Sequence, residues 1–140
     1  RRVQARGSTV IVVDTNIVAY LFLPGEFTDR SEALLEREPE WAAPVLWRSE
    51  FRNILAGFMR RRALSFGQAR AIQAEAENLL AGGEFDVDSR SVLELLRDSD
   101  CSAYDCEFVA LAAHLDARLV TMDEKVLKAF PKRAVSLDAA

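Results

Sequence analysis

The sequence predicts an α/β fold, a central and mostly parallel sheet with helices on both faces. Three observations carry that expectation. Thr9 to Val13 is a continuous β-branched run that reads as a strand buried on both sides. Apolar segments of strand length alternate with amphipathic segments of helical length along the rest of the chain. Asp14 and Asp123 each stand where a strand ends and a helix begins, the place at which open α/β sheets bind ligands.

The elements follow in order. After the first strand, Asn16 to Phe22 has helical content closed by Pro24-Gly25, and Asp29 to Arg37 is a second short helix that stops before Pro39. Trp41 to Ala43 reads as a short strand. From Val45 to Arg62 the apolar residues Trp47, Phe51, Ile54, Leu55 and Phe58 recur at helical spacing, which predicts a long amphipathic helix. Ser65 to Gln68 has the form of a capping box opening a helix to about Leu80, where Gly82-Gly83 breaks the pattern. Phe85 to Val87 suggests a strand, Ser89 caps a helix through Arg97, and Ser102 caps another from Ala103 to Leu115. Arg118 to Thr121 is an apolar strand leading to Asp123; a helix from Glu124 to Phe130 stops at Pro131, and Ala134 to Leu137 is a final strand.

A chain of 140 residues matches one domain, expected over 9–138. Residues 1–8 start without Met, include Arg6-Gly7-Ser8, and read as a cloning remnant or disordered leader outside the fold. With 18 basic and 22 acidic residues the net charge is −4, so no global positive field draws the protein to nucleic acid, and any such role rests on local patches. Arg48, Arg52 and the run Arg60-Arg61-Arg62 are the candidate patches, either for RNA phosphates or for a partner; basic residues at a helix end also simply complement its dipole. Cys101 and Cys106 have neither redox nor zinc spacing, and no stretch reaches the length of a membrane span. A cytoplasmic protein is expected.

Four acids carry the chemistry. Asp14 and Asp123, at strand ends, are equally suited to capping the following helix. Asp105 projects between Phe108, Val109 and Ala112 inside the apolar sector of its helix, where charge seldom points unpaired, although it also stands three residues after Ser102 as a capping-box acid would. Glu50 projects to the margin of its helix's apolar stripe, a position shared with ordinary solvated glutamates. Carboxylates without a His or Cys cluster suit hard Mg²⁺ or Mn²⁺ rather than zinc. His114, the sole histidine, lies among apolar and alanine neighbours, and no partner set for triad-type nucleophilic catalysis is present.

The motifs Val13-Asp14-Thr15-Asn16, Ser49-Glu50-Phe51-Arg52-Asn53-Ile54-Leu55, Tyr104-Asp105 before Phe108-Val109-Ala110-Leu111-Ala112, and Leu119-Val120-Thr121-Met122-Asp123 together resemble the PIN domain. The resemblance is to the VapC toxins of bacterial and archaeal type II toxin–antitoxin systems in particular, and it spans Thr9 to Leu137 in order and spacing. It implies a three-layer α/β/α sandwich and Mg²⁺- or Mn²⁺-dependent cleavage of RNA. It also implies a homodimer, and inhibition by a small cognate VapB-type antitoxin in a heterotetramer or larger assembly. Carried over by motif, Asp14, Glu50, Asp105 and Asp123 match the family's catalytic, metal-binding acids, while Asn16 and Thr121 match polar supports that orient them. A fifth acid occurs just past the fourth motif in some relatives; here Glu124 follows Asp123 directly, so that ligand is an open point. Two other readings stand beside this one: a PIN nuclease of RNA processing outside toxin–antitoxin systems, and a metal-binding regulatory or interaction module without catalysis.

Overall fold

The computed structural model describes residues 9–140, and the expectation for residues 1–8 lies outside the described residues. The first strand, β1 (Val10–Val13), leads into α1 (Thr15–Phe22) and α2 (Thr28–Arg37). Next come β2 (Glu40–Pro44), α3 (Trp47–Arg60), α4 (Phe66–Leu79) and β3 (Glu84–Phe85). The chain continues through α5 (Ser89–Arg97), α6 (Ala103–His114), β4 (Leu119–Val120), α7 (Glu124–Ala129) and β5 (Ala134–Val135), with a 3₁₀ turn at Leu137–Ala139. The five strands form one sheet in the order β3-β2-β1-β4-β5, and every pairing is parallel. The α/β expectation holds.

Parallel strands bury both faces, and β1 shows it: Ile11, Val12 and Val13 point alternately to opposite sides, yet none exceeds 1% exposure. On one side α6 lies across β1, β2 and β4 with α5 packed against it, while α1 to α4 pack with one another. In α3, Trp47, Phe51 and Leu55 are buried four residues apart, so a single stripe anchors the helix and places Glu50 at its edge.

Strand order decides where a crevice can open. The chain steps outward from β1 to β2 and β3, then returns to the other side of β1 for β4 and β5. The carboxyl ends of β1 and β4 therefore flank the point where the order reverses, and helices diverging on either side leave a crevice there.

Several boundaries differ from the sequence expectation. The helix expected to Arg62 ends at Arg60, because Arg62 takes a left-handed conformation at φ 62°. Asp88, not Ser89, caps α5, its carboxylate accepting the Ser91 N–H at 3.0 Å; both residue types are good caps, and the acid lies one position earlier. The strand expected over Phe85 to Val87 is Glu84–Phe85, since pairing to Ala43 and Pro44 fixes it there. The last strand stops at Val135 because the Ser136 hydroxyl caps a 3₁₀ turn by accepting the Ala139 N–H. Ser65 and Gln68 form the expected reciprocal capping box of α4.

Candidate active site

At the switch point lies a cavity of about 520 Å³, and Asp14, Glu50, Asp105 and Asp123 all line it. Asp14 follows β1 and caps α1: Oδ1 accepts the N–H groups of Asn16 (2.9 Å) and Ile17 (3.4 Å). Its Oδ2 accepts the hydroxyl of Thr121, which is 1% exposed at the end of β4. Asp123 caps α7 in the same manner, Oδ1 accepting the N–H groups of Lys125 (2.9 Å) and Val126 (3.2 Å). The Asp123 N–H donates to Thr121 Oγ1 at 3.1 Å, so one threonine ties the two strand-end acids together across the reversal.

Glu50 comes from the first turn of α3, where its Oε1 accepts the hydroxyl of buried Thr15 at 2.6 Å. Asp105 comes from the first turn of α6, where its N–H donates to the capping Ser102 hydroxyl at 3.0 Å. Asp14 and Asp123 are thus both caps and cavity acids. In Asp123 and Glu50 one carboxylate oxygen serves the fold, while the other makes no hydrogen bond among the described residues.

Burial raises the proton affinity of Asp14, Glu50 and Asp105, and a neighbouring carboxylate adds to each. Burial pushes the Asp14 carboxyl up to about 6, with a further push from Glu50, against the lowering effect of Thr121 and the two N–H groups. Glu50 is raised by burial and by Asp105, with Thr15 opposing; Asp105 is raised by burial and by Asp123, with Ser102 and Lys125 opposing. Glu107, one turn past the α6 start, is raised by burial and by Glu50. Among the described residues no Lys or Arg lines the cavity, so these charges meet no described cation within it. Lys125 sits outside, its Nζ donating to the Asp100 carbonyl at 3.4 Å.

Oxygen donors alone, one carboxylate pushed to about 6 and unengaged carboxylate oxygens are conditions that a hard divalent cation relieves, so the donor set fits Mg²⁺ or Mn²⁺. The acids are not drawn into a ready cage: among the described residues no group of three His, Cys, Asp or Glu converges closely enough to hold an ion. Like charges keep apart, and protein donors hold Asp14, Glu50 and Asp123: the N–H groups of the following helix for the two aspartates, Thr121 for Asp14 as well, and Thr15 of α1 for Glu50.

The other predicted residues scatter. Asn16 lines the cavity and gives its backbone N–H to Asp14, but its side-chain amide makes no hydrogen bond among the described residues. Arg48, half-exposed, is engaged by two acids, its Nε and Nη2 donating to Glu84 at 2.6 and 2.8 Å and its Nη1 lying 3.2 Å from Glu77. Arg52 donates to the Arg48 carbonyl and to Ser49, which is itself a cavity residue. Arg60, Arg61 and Arg62 are exposed at the far end of α3, with Arg61 over the Phe58 ring at 4.7 Å. At about 1.5 Å per residue, Arg60 is some 15 Å along the axis from Glu50. Sequence reasoning missed Thr15, Asn53 and Tyr104; the sole local signal for Thr15 was its place beside Asp14.

In comparison with known proteins, the PIN domain family matches residues 11–132. The curated protein Ribonuclease VapC3 of Pyrobaculum aerophilum is 27% identical over 128 residues, covering 86% of this chain and 95% of that protein. Among solved structures, PAE2754 from Pyrobaculum aerophilum superposes with a TM-score of 0.74 at 17% identity, over 96% of this chain and 88% of the other. FitAcB from Neisseria gonorrhoeae gives a TM-score of 0.74 at 16% identity, over 93% and 99%. A toxin-antitoxin complex from Klebsiella pneumoniae gives 0.66 at 17% identity, over 91% and 97%. At these identities the structures speak for the fold.

Proposed function

The chain belongs to the PIN domain family, and from that premise we propose that it is a divalent-cation-dependent endoribonuclease, the toxin of a VapBC-type pair. The observation that carries the proposal is the convergence of four acids, from the ends of β1 and β4 and the first turns of α3 and α6, on one cavity at the switch point. In this reading one domain over 9–138 performs the chemistry, and Asp14 and Asp105 are the principal ligands of Mg²⁺ or Mn²⁺. Glu50 and Asp123 would help hold a second ion, and one of them would serve as base. A bound cation of this kind would supply charge stabilisation at the phosphoryl oxygens and make a water easier to deprotonate to the attacking hydroxide.

The chain's own residues do the rest. Thr121 fixes Asp14 and Asp123 relative to each other, and Thr15 fixes Glu50, so the carboxylates are oriented before any ion arrives. The raised proton affinity of Asp14 suits a group that gives up its proton when a cation binds. RNA is the proposed substrate and a small VapB-type antitoxin the proposed partner, on a homodimer that forms a heterotetramer or larger complex. The likeness to the VapC3 ribonuclease supports RNA as the substrate, and the likeness to a toxin-antitoxin complex of Klebsiella pneumoniae supports an antitoxin partner. No helix among the described residues is long and apolar enough to cross a membrane.

The test is direct. Purified protein is expected to cut RNA with Mg²⁺ or Mn²⁺ and to stop in excess EDTA, and Asp105→Asn is expected to remain folded without cutting. Cleavage in EDTA, or a fully active Asp105→Asn, rejects the metal-site reading. Co-expression with the small adjacent gene separates the toxin from an RNA-processing nuclease: failure of any neighbour to bind or neutralise it, with harmless expression alone, favours the latter.

A further inference from the structure

Tyr104 is a cavity residue that neither folding nor metal binding explains. Five large apolar side chains are exposed among the described residues, and Tyr104, at 61%, is the one of them that lines the cavity. It stands in the first turn of α6, immediately before Asp105. The ring of Tyr20, by comparison, is stacked on Phe27 at a centroid distance of 4.9 Å. The Tyr104 ring has no aromatic or cationic neighbour, and its hydroxyl has no hydrogen bond, among the described residues.

The cavity's charge gives the aromatic its significance. Proteins usually gain affinity for RNA from cations set against phosphates. Among the described residues no Lys or Arg lines the cavity, the four acids repel a polyanion, and the protein carries net −4. Stacking of an unpaired base on an aromatic ring needs no cation and tolerates any base. The same cavity offers apolar surface from Ile54 and Phe108, and polar groups from Ser49 and Asn53 one turn apart on α3. Its volume, about 520 Å³, lies within the range of pockets that enclose a small molecule or one group of a larger one.

We infer that Tyr104 is the platform on which a nucleobase flanking the scissile phosphate stacks, so that the enzyme takes RNA whose nucleotide at that point is unpaired. The inference rests on the nuclease reading and adds the residue that selects for unpaired RNA. Stacking the flanking base beside Asp105 would fix the phosphate at the acids by its covalent tether, a positioning that cations perform in more basic nucleases.

The experiment uses the full chain. Cleavage sites are first mapped with wild-type protein and Mn²⁺, and binding is then measured in an Asp14→Asn background by fluorescence anisotropy. The probes are the mapped single-stranded oligonucleotide, its duplex, and versions with an abasic nucleotide on either side of the cut. Tyr104→Ala is expected to weaken binding to the single strand by about 5- to 150-fold. It should lower kcat/KM by a similar factor in the otherwise wild-type chain, and leave thermal unfolding in place because the ring is exposed. Tyr104→Phe is expected to recover what Tyr104→Ala loses, and one abasic position should erase the difference between Tyr and Ala. The inference is overturned by unchanged binding and cleavage in Tyr104→Ala, by equal losses on intact and abasic strands, or by loss of antitoxin binding alone. Absence of RNA cleavage by the wild type overturns the nuclease reading itself, a separate outcome.

Discussion

Replacing Asp14 by Asn is expected to stabilise the metal-free protein while abolishing cleavage. Burial lifts the Asp14 carboxyl from its ordinary value of 3.8 to about 6, so keeping it ionised at neutral pH opposes folding. At about 1.4 kcal/mol per tenfold change in proton affinity, that opposition is on the order of 3 kcal/mol. Asn keeps the oxygen that caps α1, since Asn and Asp are near-equal caps, and disturbs mainly the Thr121 contact, worth about 1 kcal/mol. The net gain is roughly 2 kcal/mol, or about 6 °C in Tm for a domain of this size. The sign with pH follows from linkage. Between pH 4 and 6, roughly, the folded wild type holds a proton that the unfolded chain has released, so wild-type stability falls as pH rises through this window. The advantage of Asp14→Asn should be absent near pH 4 and complete above pH 6.5 or so. The assay is thermal unfolding of both proteins in EDTA across that range, repeated with Mn²⁺, which should stabilise the wild type and not the variant. A variant that melts lower than wild type at pH 7.5 in EDTA, or a difference that does not change with pH, would refute the reasoning.

Two further changes probe the scaffold around the acids. Thr15→Val keeps shape but leaves Glu50 without its 2.6 Å donor; because that bond lowers the Glu50 carboxyl, the acid limb of the kcat/KM profile should move to higher pH, with activity down about 10- to 100-fold. An unmoved pH profile would show that Thr15 does not orient Glu50. Gly83→Ala would place a Cβ 2.3 Å from the Trp41 carbonyl oxygen, so β2 and β3 must separate; a loss of about 1–3 kcal/mol in urea unfolding is expected, and wild-type stability would contradict the close packing.

Local reading succeeded where a residue's neighbours in sequence are also its neighbours in space. Asp14 and Asp123 were legible because a strand end and a helix start lie within a few residues of each, and Asp105 because a helix projection uses nothing further away than one turn. Local reading could not see the partner of Arg48: Glu84 lies 36 residues later and is brought alongside by the pairing of β2 with β3. Thr15 was missed for the same reason, since its partner Glu50 is 35 residues away. Glu50 and Thr121 were legible through the family resemblance alone: the first sits at a helix margin that many solvated glutamates share, and the second resembles any strand-end threonine.

Capping and ligation, set against each other as rival roles for Asp14 and Asp123, are compatible for a geometric reason. A capping carboxylate directs one oxygen at the helix's free N–H groups, and the helix starts beside the crevice because its strand ends there. The second oxygen is then held at a fixed angle to the cavity, bound to Thr121 in Asp14 and unengaged in Asp123. Each helix N-terminus also carries partial positive charge that stabilises the carboxylate in its ionised form. The cap therefore supplies orientation and charge together, which is what a carboxylate needs to act as a ligand, and an acid that caps a helix at a switch point is a stronger candidate for the site than one that does not.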